Sequence, residues 1–246
     1  MNNRTTQKTL RIAIVLLLSF MLSAIIIQNT FADPSGVTII QNTTVTPAVQ
    51  PAGSITTAGG SFTTMLINAT SQTMRWKAYV GNVSGRFALQ DGSNYSIYDW
   101  GITIIAGEVY ASRNNSINWP AINCVDNTTL SNEQTQINMT TTKEDSINKT
   151  FNNTVHKSFY VGTKLITNST CRSIATYVNS TKQTVSESAT YQEVLLQDTN
   201  QKMVYTTLLE NKARSYNNAS LDFQMIVAES DINPTPSTYY FWVELG

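Results

Sequence analysis

Tyr191-Gln-Glu-Val-Leu-Leu-Gln197 and Met203-Val-Tyr-Thr-Thr-Leu-Leu209 are short runs dense in β-branched, aromatic and aliphatic residues, separated by the polar stretch Asp198-Thr-Asn-Gln-Lys202. Runs of this length and composition, bounded by Asp, Asn, Gly and Ser, read as β-strands rather than helices. The pattern repeats along the chain at Phe62–Asn68, Gln72–Val80, Gly85–Gln90, Tyr95–Asp99, Thr103–Ala111, Phe159–Ile166, Ser173–Val178, Leu221–Ala228 and Thr238–Glu244. Asp91-Gly92 between two of these runs is a hairpin signal, and Asn233-Pro234-Thr235-Pro236 stops one strand before the last begins. Many short strands at this spacing define an all-β fold, a β-sandwich with a barrel-like closure as the alternative.

Two stretches interrupt the strand pattern. Between Pro47 and Gly60 the chain carries Pro47, Pro51, Gly53, Gly59 and Gly60, which break any regular element and read as a linker. The expected organisation is therefore an N-terminal extended strand with its linker over 33–60 and a sandwich domain over 61–246. In the insertion from Asp126 to Thr154, apolar residues thin out and Thr142-Lys-Glu-Asp145 has the form of a capping box. A short helix is expected near 140–152, with Ile147 and Phe151, four apart, as its buried contact.

The first residues carry Arg4, Lys8 and Arg11 ahead of an apolar or small stretch from Ile12 to Ile27, and no acidic residue precedes Asp33. A basic segment, an apolar segment and the small residues Thr30 and Ala32 form an export signal, residues 1–32, cut between Ala32 and Asp33. The alternative is an uncleaved anchor through residues 12–27, slightly under the ~17 residues that span a bilayer core. Either way the body of the chain is expected outside the cell or on its surface.

Composition agrees with an extracellular setting. Without the three basic residues of the signal, thirteen Lys and Arg face sixteen Asp and Glu, a net charge of −3, so no basic field exists to hold nucleic acid. Charged residues are 13 % of the chain, about half the usual share, and neutral polar residues cover the deficit. Asn-x-Ser/Thr sequons stand at Asn42, Asn68, Asn82, Asn94, Asn114, Asn127, Asn138, Asn148, Asn152, Asn168, Asn179 and Asn218. Chance at this Ser and Thr content would produce roughly half as many, and N-glycans would supply the solubility that charge does not. The two cysteines, Cys124 and Cys171, allow one pairing, and in an exported chain a disulfide is expected, closing a loop of about 48 residues.

No catalytic set emerges from the residue types. His156 is the sole histidine, which excludes His-rich metal sites and leaves a nucleophilic triad dependent on one residue. Asp99, Glu108, Glu193 and Glu210 lie in or beside candidate strands and could in principle meet as a glycosidase pair. Asp126, Glu229 and Asp231 offer oxygens for calcium without an EF-hand spacing. The alternative for all of them is a turn, strand-end or structural role, and no catalytic residue, metal or cofactor is expected. Tyr95, Tyr98 and Trp100, and again Tyr239 to Trp242, read as core rather than as sugar-stacking platforms.

Trp76-Lys-Ala-Tyr-Val-Gly-Asn-Val-Ser-Gly85, Gly107-Glu-Val-Tyr-Ala-Ser112, the Cys124 to Cys171 interval, Phe223-Gln-Met-Ile-Val227 and Thr238-Tyr-Tyr-Phe-Trp-Val-Glu-Leu245 together resemble an uncharacterised group of archaeal secreted, β-rich cell-surface glycoproteins. The resemblance covers Ser61 to the C-terminus and implies an archaeal cell surface; it carries no activity. The expected function is a non-enzymatic secreted or surface glycoprotein, structural or adhesive, with other surface proteins, copies of itself and glycans as partners. One alternative is a filament subunit that donates residues 36–46, where Val37, Ile39 and Val45 share one face, to the sheet of the next copy. Another is a secreted carbohydrate-binding or carbohydrate-active protein.

Overall fold

A computed structural model describes residues 33–230 and 236–246. The segment 1–32, and with it Ala32 of the predicted cleavage, lies outside the described residues, as do Asp231 and most of the Asn233–Pro236 stop. Among the described residues no helix is long and apolar enough to cross a membrane.

The two runs that opened the sequence reading are the centre of the molecule. β10 (Gln192–Gln197) and β11 (Met203–Leu208) pair antiparallel with Leu195 opposite Tyr205. Asp198 closes the turn between them, its Oδ1 accepting from the amides of Asn200 (2.8 Å) and Lys202 (3.1 Å). β11 pairs with β5 (Gly107–Ser112), β5 with β15 (Tyr240–Leu245), and β15 with the two-residue β1 (Ser35–Gly36). On its other side β10 takes β6 (Asn123–Cys124) and β9 (Ser173–Ala175). The sheet is open, with order β1-β15-β5-β11-β10-β6, so the barrel alternative does not hold.

Because β10 and β11 are buried along their length, both faces of this sheet must be covered, and the sequence supplies two different covers. Val109, Ala111, Leu195, Met203 and Tyr205 face a two-stranded ribbon of β14 (Phe223–Ala228) and β2 (Trp76–Gly81), together with Leu130, Ile137, Met139, Ile147 and Phe151 of the insertion. Tyr110, Val194, Leu196, Val204 and Leu208 face Trp119, Ile122 and a hairpin of β7 (Phe159–Val161) and β8 (Lys164–Ile166). Sheet-on-ribbon packing on one side gives the expected sandwich, and each fully buried large apolar side chain contributes roughly 1.5–3 kcal/mol to it.

Several boundaries differ from expectation for identifiable reasons. Phe159–Ile166 is two strands, because Gly162 at φ +55° turns the chain between them. Leu221–Ala228 divides likewise: β13 (Ser220–Leu221) pairs with β12 (Ala213–Arg214), while β14 begins at Phe223. In the insertion the longer helix is α1 (Asn127–Gln136), capped by Asp126, whose Oδ1 accepts from the Thr129 amide at 2.7 Å. A second, single turn, α2 (Ile147–Thr150), falls within 140–152, and Ile147 and Phe151 are fully buried there. Thr142–Asp145 caps nothing, since Asp145 is taken up by Arg75 Nη1 (2.9 Å), Thr73 Oγ1 (2.7 Å) and, through its carbonyl, Trp76 Nε1 (2.7 Å). Phe62–Asn68 forms no strand; it belongs to an extended arm that leaves the sheet after β1 and enters the covering ribbon at β2.

Candidate functional site

The carboxylates that strand positions made candidates do not converge. Glu193 stands opposite Thr207 on the face covered by the β2–β14 ribbon, whereas Glu108, opposite Leu208, points to the other face. Asp99 is exposed and paired with Arg86 Nη1 at 2.6 Å, and Glu210 is paired with Lys157 Nζ at 3.4 Å. Asp126 is a helix cap, and the Glu229 carboxylate accepts from the Ser237 amide at 3.3 Å. Among the described residues no three His, Cys, Asp or Glu side chains gather where they could hold a metal ion.

Sequence reasoning missed the partner of Glu108. Glu108 and Glu244 are direct cross-strand neighbours on β5 and β15, each 8 % exposed. Tyr110 Oη donates to Glu244 at 2.9 Å, and the Gly162 amide donates to both Glu244 oxygens at 3.0 Å. Burial first, then repulsion from Glu244, pushes the Glu108 carboxyl well above its ordinary range; burial also raises Glu244 against the opposing pull of the Gly162 amide and Tyr110 hydroxyl. The available signal was positional: both glutamates share the inward period of an aromatic strand, Glu108 with Tyr110 and Glu244 with Trp242. Such a pair holds protons well, but it lies inside the fold under the β7–β8 hairpin instead of lining an open cleft.

His156 and the cysteines form a structural unit. Cys124 and Cys171 are disulfide-bonded with Cα atoms 4.8 Å apart, and the strands beside them, β6 and β9, both pair with β10. The bond therefore pins the two ends of the insertion to the central strand. His156 is fully buried. Its Nε2 accepts from the amides of Thr170 (3.2 Å) and Cys171 (3.0 Å), and its Nδ1 lies 2.8 Å from the Lys157 carbonyl. That arrangement fixes a neutral ring with the proton on Nδ1, and burial holds its pKa below the usual histidine value.

The sequon asparagines lie at the surface. Asn42, Asn68, Asn82, Asn94, Asn127, Asn138, Asn152, Asn168, Asn179 and Asn218 are exposed, Asn114 and Asn148 half-buried, and none is buried. Asn94, Asn138, Asn179 and Asn218 have positive φ (66°, 52°, 48° and 69°), a backbone state that asparagine adopts more readily than most residues, so a turn requirement acts at these four positions as well.

The largest departure from expectation is a hairpin. β3 (Arg86–Gln90) and β4 (Ser96–Gly101) pair only with each other and project their side chains into solvent. Phe87 sits opposite Trp100 and Leu89 opposite Tyr98, so all four share one face, with the Tyr98 and Trp100 rings edge-on at 5.0 Å. Tyr95, Tyr98 and Trp100 are thus surface groups and not core; of the C-terminal ring cluster Phe241 packs on Tyr79 and Trp242 on Trp119, whereas Tyr240 is exposed and departs from the core expectation. Of the predicted donor residues, Val37 closes on the molecule's own edge, its amide donating to Phe241 O at 3.4 Å, whereas Ile39 and Val45 stand exposed beyond that contact.

The chain matches no protein-family model, no curated protein and no solved structure.

Proposed function

We propose that this chain is a non-enzymatic, exported glycoprotein of the cell surface with a structural or adhesive role. The observation that carries the proposal is the placement of its twelve mature sequons, none buried and all spread over the arm, the hairpin loops, the insertion and the C-terminal half. A disulfide that ties the insertion to the central strand supports the same setting, because such bonds persist in oxidising compartments. Among the described residues, Glu108, Glu193 and Glu244 are buried in the core, Asp99 and Glu210 are in ion pairs and Asp126 caps a helix, which supports structural roles for these acids.

Intact mass with glycan mapping, on unreduced protein recovered from its native surface, tests this reading. A chain that begins at Asp33, lacks two hydrogens for the disulfide and carries sugar on several of the twelve asparagines supports it. A chain that retains Met1, bears no sugar and has free thiols overturns it.

A further inference from the structure

We propose that the arm segment Phe62–Asn68 of one copy adds as a third strand to the exposed β3–β4 hairpin of a second copy, joining the chains head to tail. The proposal rests on the structural role argued above and names its partner: the protein itself.

The arm is a long excursion between β1 and β2, and connections of this length without secondary structure are uncommon in compact domains unless they serve a function. No charged residue occurs between Pro34 and Met74, so the arm lacks the lysines and aspartates by which unpaired strands ordinarily protect themselves. Within it, Phe62-Thr-Thr-Met-Leu-Ile67 has strand-forming composition but no sheet, with Phe62 94 % and Leu66 101 % exposed. Strand periodicity would put Phe62, Thr64 and Leu66 on one face.

The hairpin has the complementary deficiency. Its Phe87, Leu89, Tyr98 and Trp100 face is apolar, while its Arg86–Asp99 ion pair belongs to the opposite face. Its outer backbone edges have no strand partner among the described residues. A third strand would satisfy one edge and lay Phe62 and Leu66 across the aromatic face, the geometry of β-strand addition. In the single chain both elements stay uncovered, so the chain does not close on itself and the cover comes from another copy. Donor and acceptor are different surfaces, which makes the contact heterologous; repeated contacts of that type build open filaments.

The test uses chains beginning at Asp33. A donor-defective variant, Phe62→Asp with Leu66→Lys, and an acceptor-defective variant, Leu89→Lys with Trp100→Lys, change exposed residues only, and unchanged circular dichroism confirms that both fold. Sedimentation velocity over a hundredfold concentration range is expected to show wild-type oligomers growing with concentration and each variant remaining monomeric. An equimolar mixture of the two variants is expected to give a one-to-one dimer that grows no further, since each mixture retains one intact donor and one intact acceptor. Monomeric wild type throughout, wild-type oligomers undiminished in both variants, or a mixture that stays monomeric each overturns the proposal. Tryptophan fluorescence that responds to oligosaccharides in a monomeric wild type assigns the hairpin to sugar instead. The mass experiment above is independent of these outcomes, so failure of assembly leaves the glycoprotein reading to stand or fall separately.

Discussion

Glu193→Gln should stabilise this protein at neutral pH, and the gain should grow with pH. Glu193 is fully buried at the centre of β10; its Oε2 accepts from the Ile226 amide at 2.9 Å, and its Oε1 has no hydrogen-bond partner. Burial pushes its pKa well above the ordinary 4.5, with only the Ile226 amide opposing. The folded protein therefore keeps a proton that the unfolded chain releases. For a carboxyl raised on folding, its contribution is intact below pH 4.5 and is lost as pH rises from there through the folded pKa. The slope of that loss is about 1.4 kcal/mol per pH unit for one proton. Glutamine keeps the acceptor for Ile226 and removes the proton from the balance. The two proteins should agree within roughly 1 kcal/mol below pH 4.5, and the variant's advantage should widen above it, by at most about 1.4 kcal/mol per unit, until the folded-state pKa is reached. Urea unfolding of both proteins at unit steps from pH 4 to pH 8 measures the difference, and the difference is the quantity to follow because Glu108 and Glu244 tilt both curves alike. A constant difference across that range, or a variant less stable than wild type at pH 7, would refute the reasoning.

Other perturbations have equally definite signs. Cys124→Ser with Cys171→Ser should cost at most about 4 kcal/mol on the chain-entropy account of a loop of this length, read as a lower urea midpoint. Arg113→Ala removes the Nε–Oε1 (2.7 Å) and Nη2–Oε2 (2.9 Å) bonds to buried Glu133; leaving that charge uncompensated should cost roughly 3 kcal/mol in the same assay, and an unchanged midpoint would remove the pair from the account of stability. Gly107 has φ +111°, and an added Cβ would meet the Glu244 carbonyl, so Gly107→Ala should destabilise by ~1–3 kcal/mol or more. His156 acts opposite to the glutamates: its lowered pKa means that its contribution is intact above pH 6.5 and is lost as pH falls below that value, so the melting temperature of His156→Gln measured against wild type should rise as pH is lowered from 6.5 to 5.

The central strands were legible because nothing competes with their composition: Tyr191–Gln197 and Met203–Leu209 differ from β10 and β11 by one residue at an end. Where the sequence misled, the deciding force was one that local composition does not carry. Asp145 sits at the right spacing to close a capping box, yet a distant Arg75 and Thr73 claim its carboxylate, and the helix moves to Asp126, whose Oδ1 stays free to cap Thr129 while Oδ2 accepts from Gln197. Gly162 occurs in a run that otherwise looks continuous, and only the demand for a tight cover over Trp119 and Tyr110 turns it into a hairpin. The clearest case is aromatic. Tyr95–Trp100 and Tyr239–Trp242 have the same appearance in sequence, and apolarity assigns both to the core. The second run pairs with β5, and the sheet to which it belongs half-buries Tyr239, Phe241 and Trp242 and leaves Tyr240 exposed. The first pairs only with β3, and a two-stranded ribbon has no second layer of its own. Hydrophobicity specifies that a surface must be covered; it does not specify by which chain. Phe62–Asn68 reads as a strand and has no sheet, β3–β4 is a sheet and has no cover, and the complementary sense of these two deficiencies is the ground for the pairing between copies proposed above.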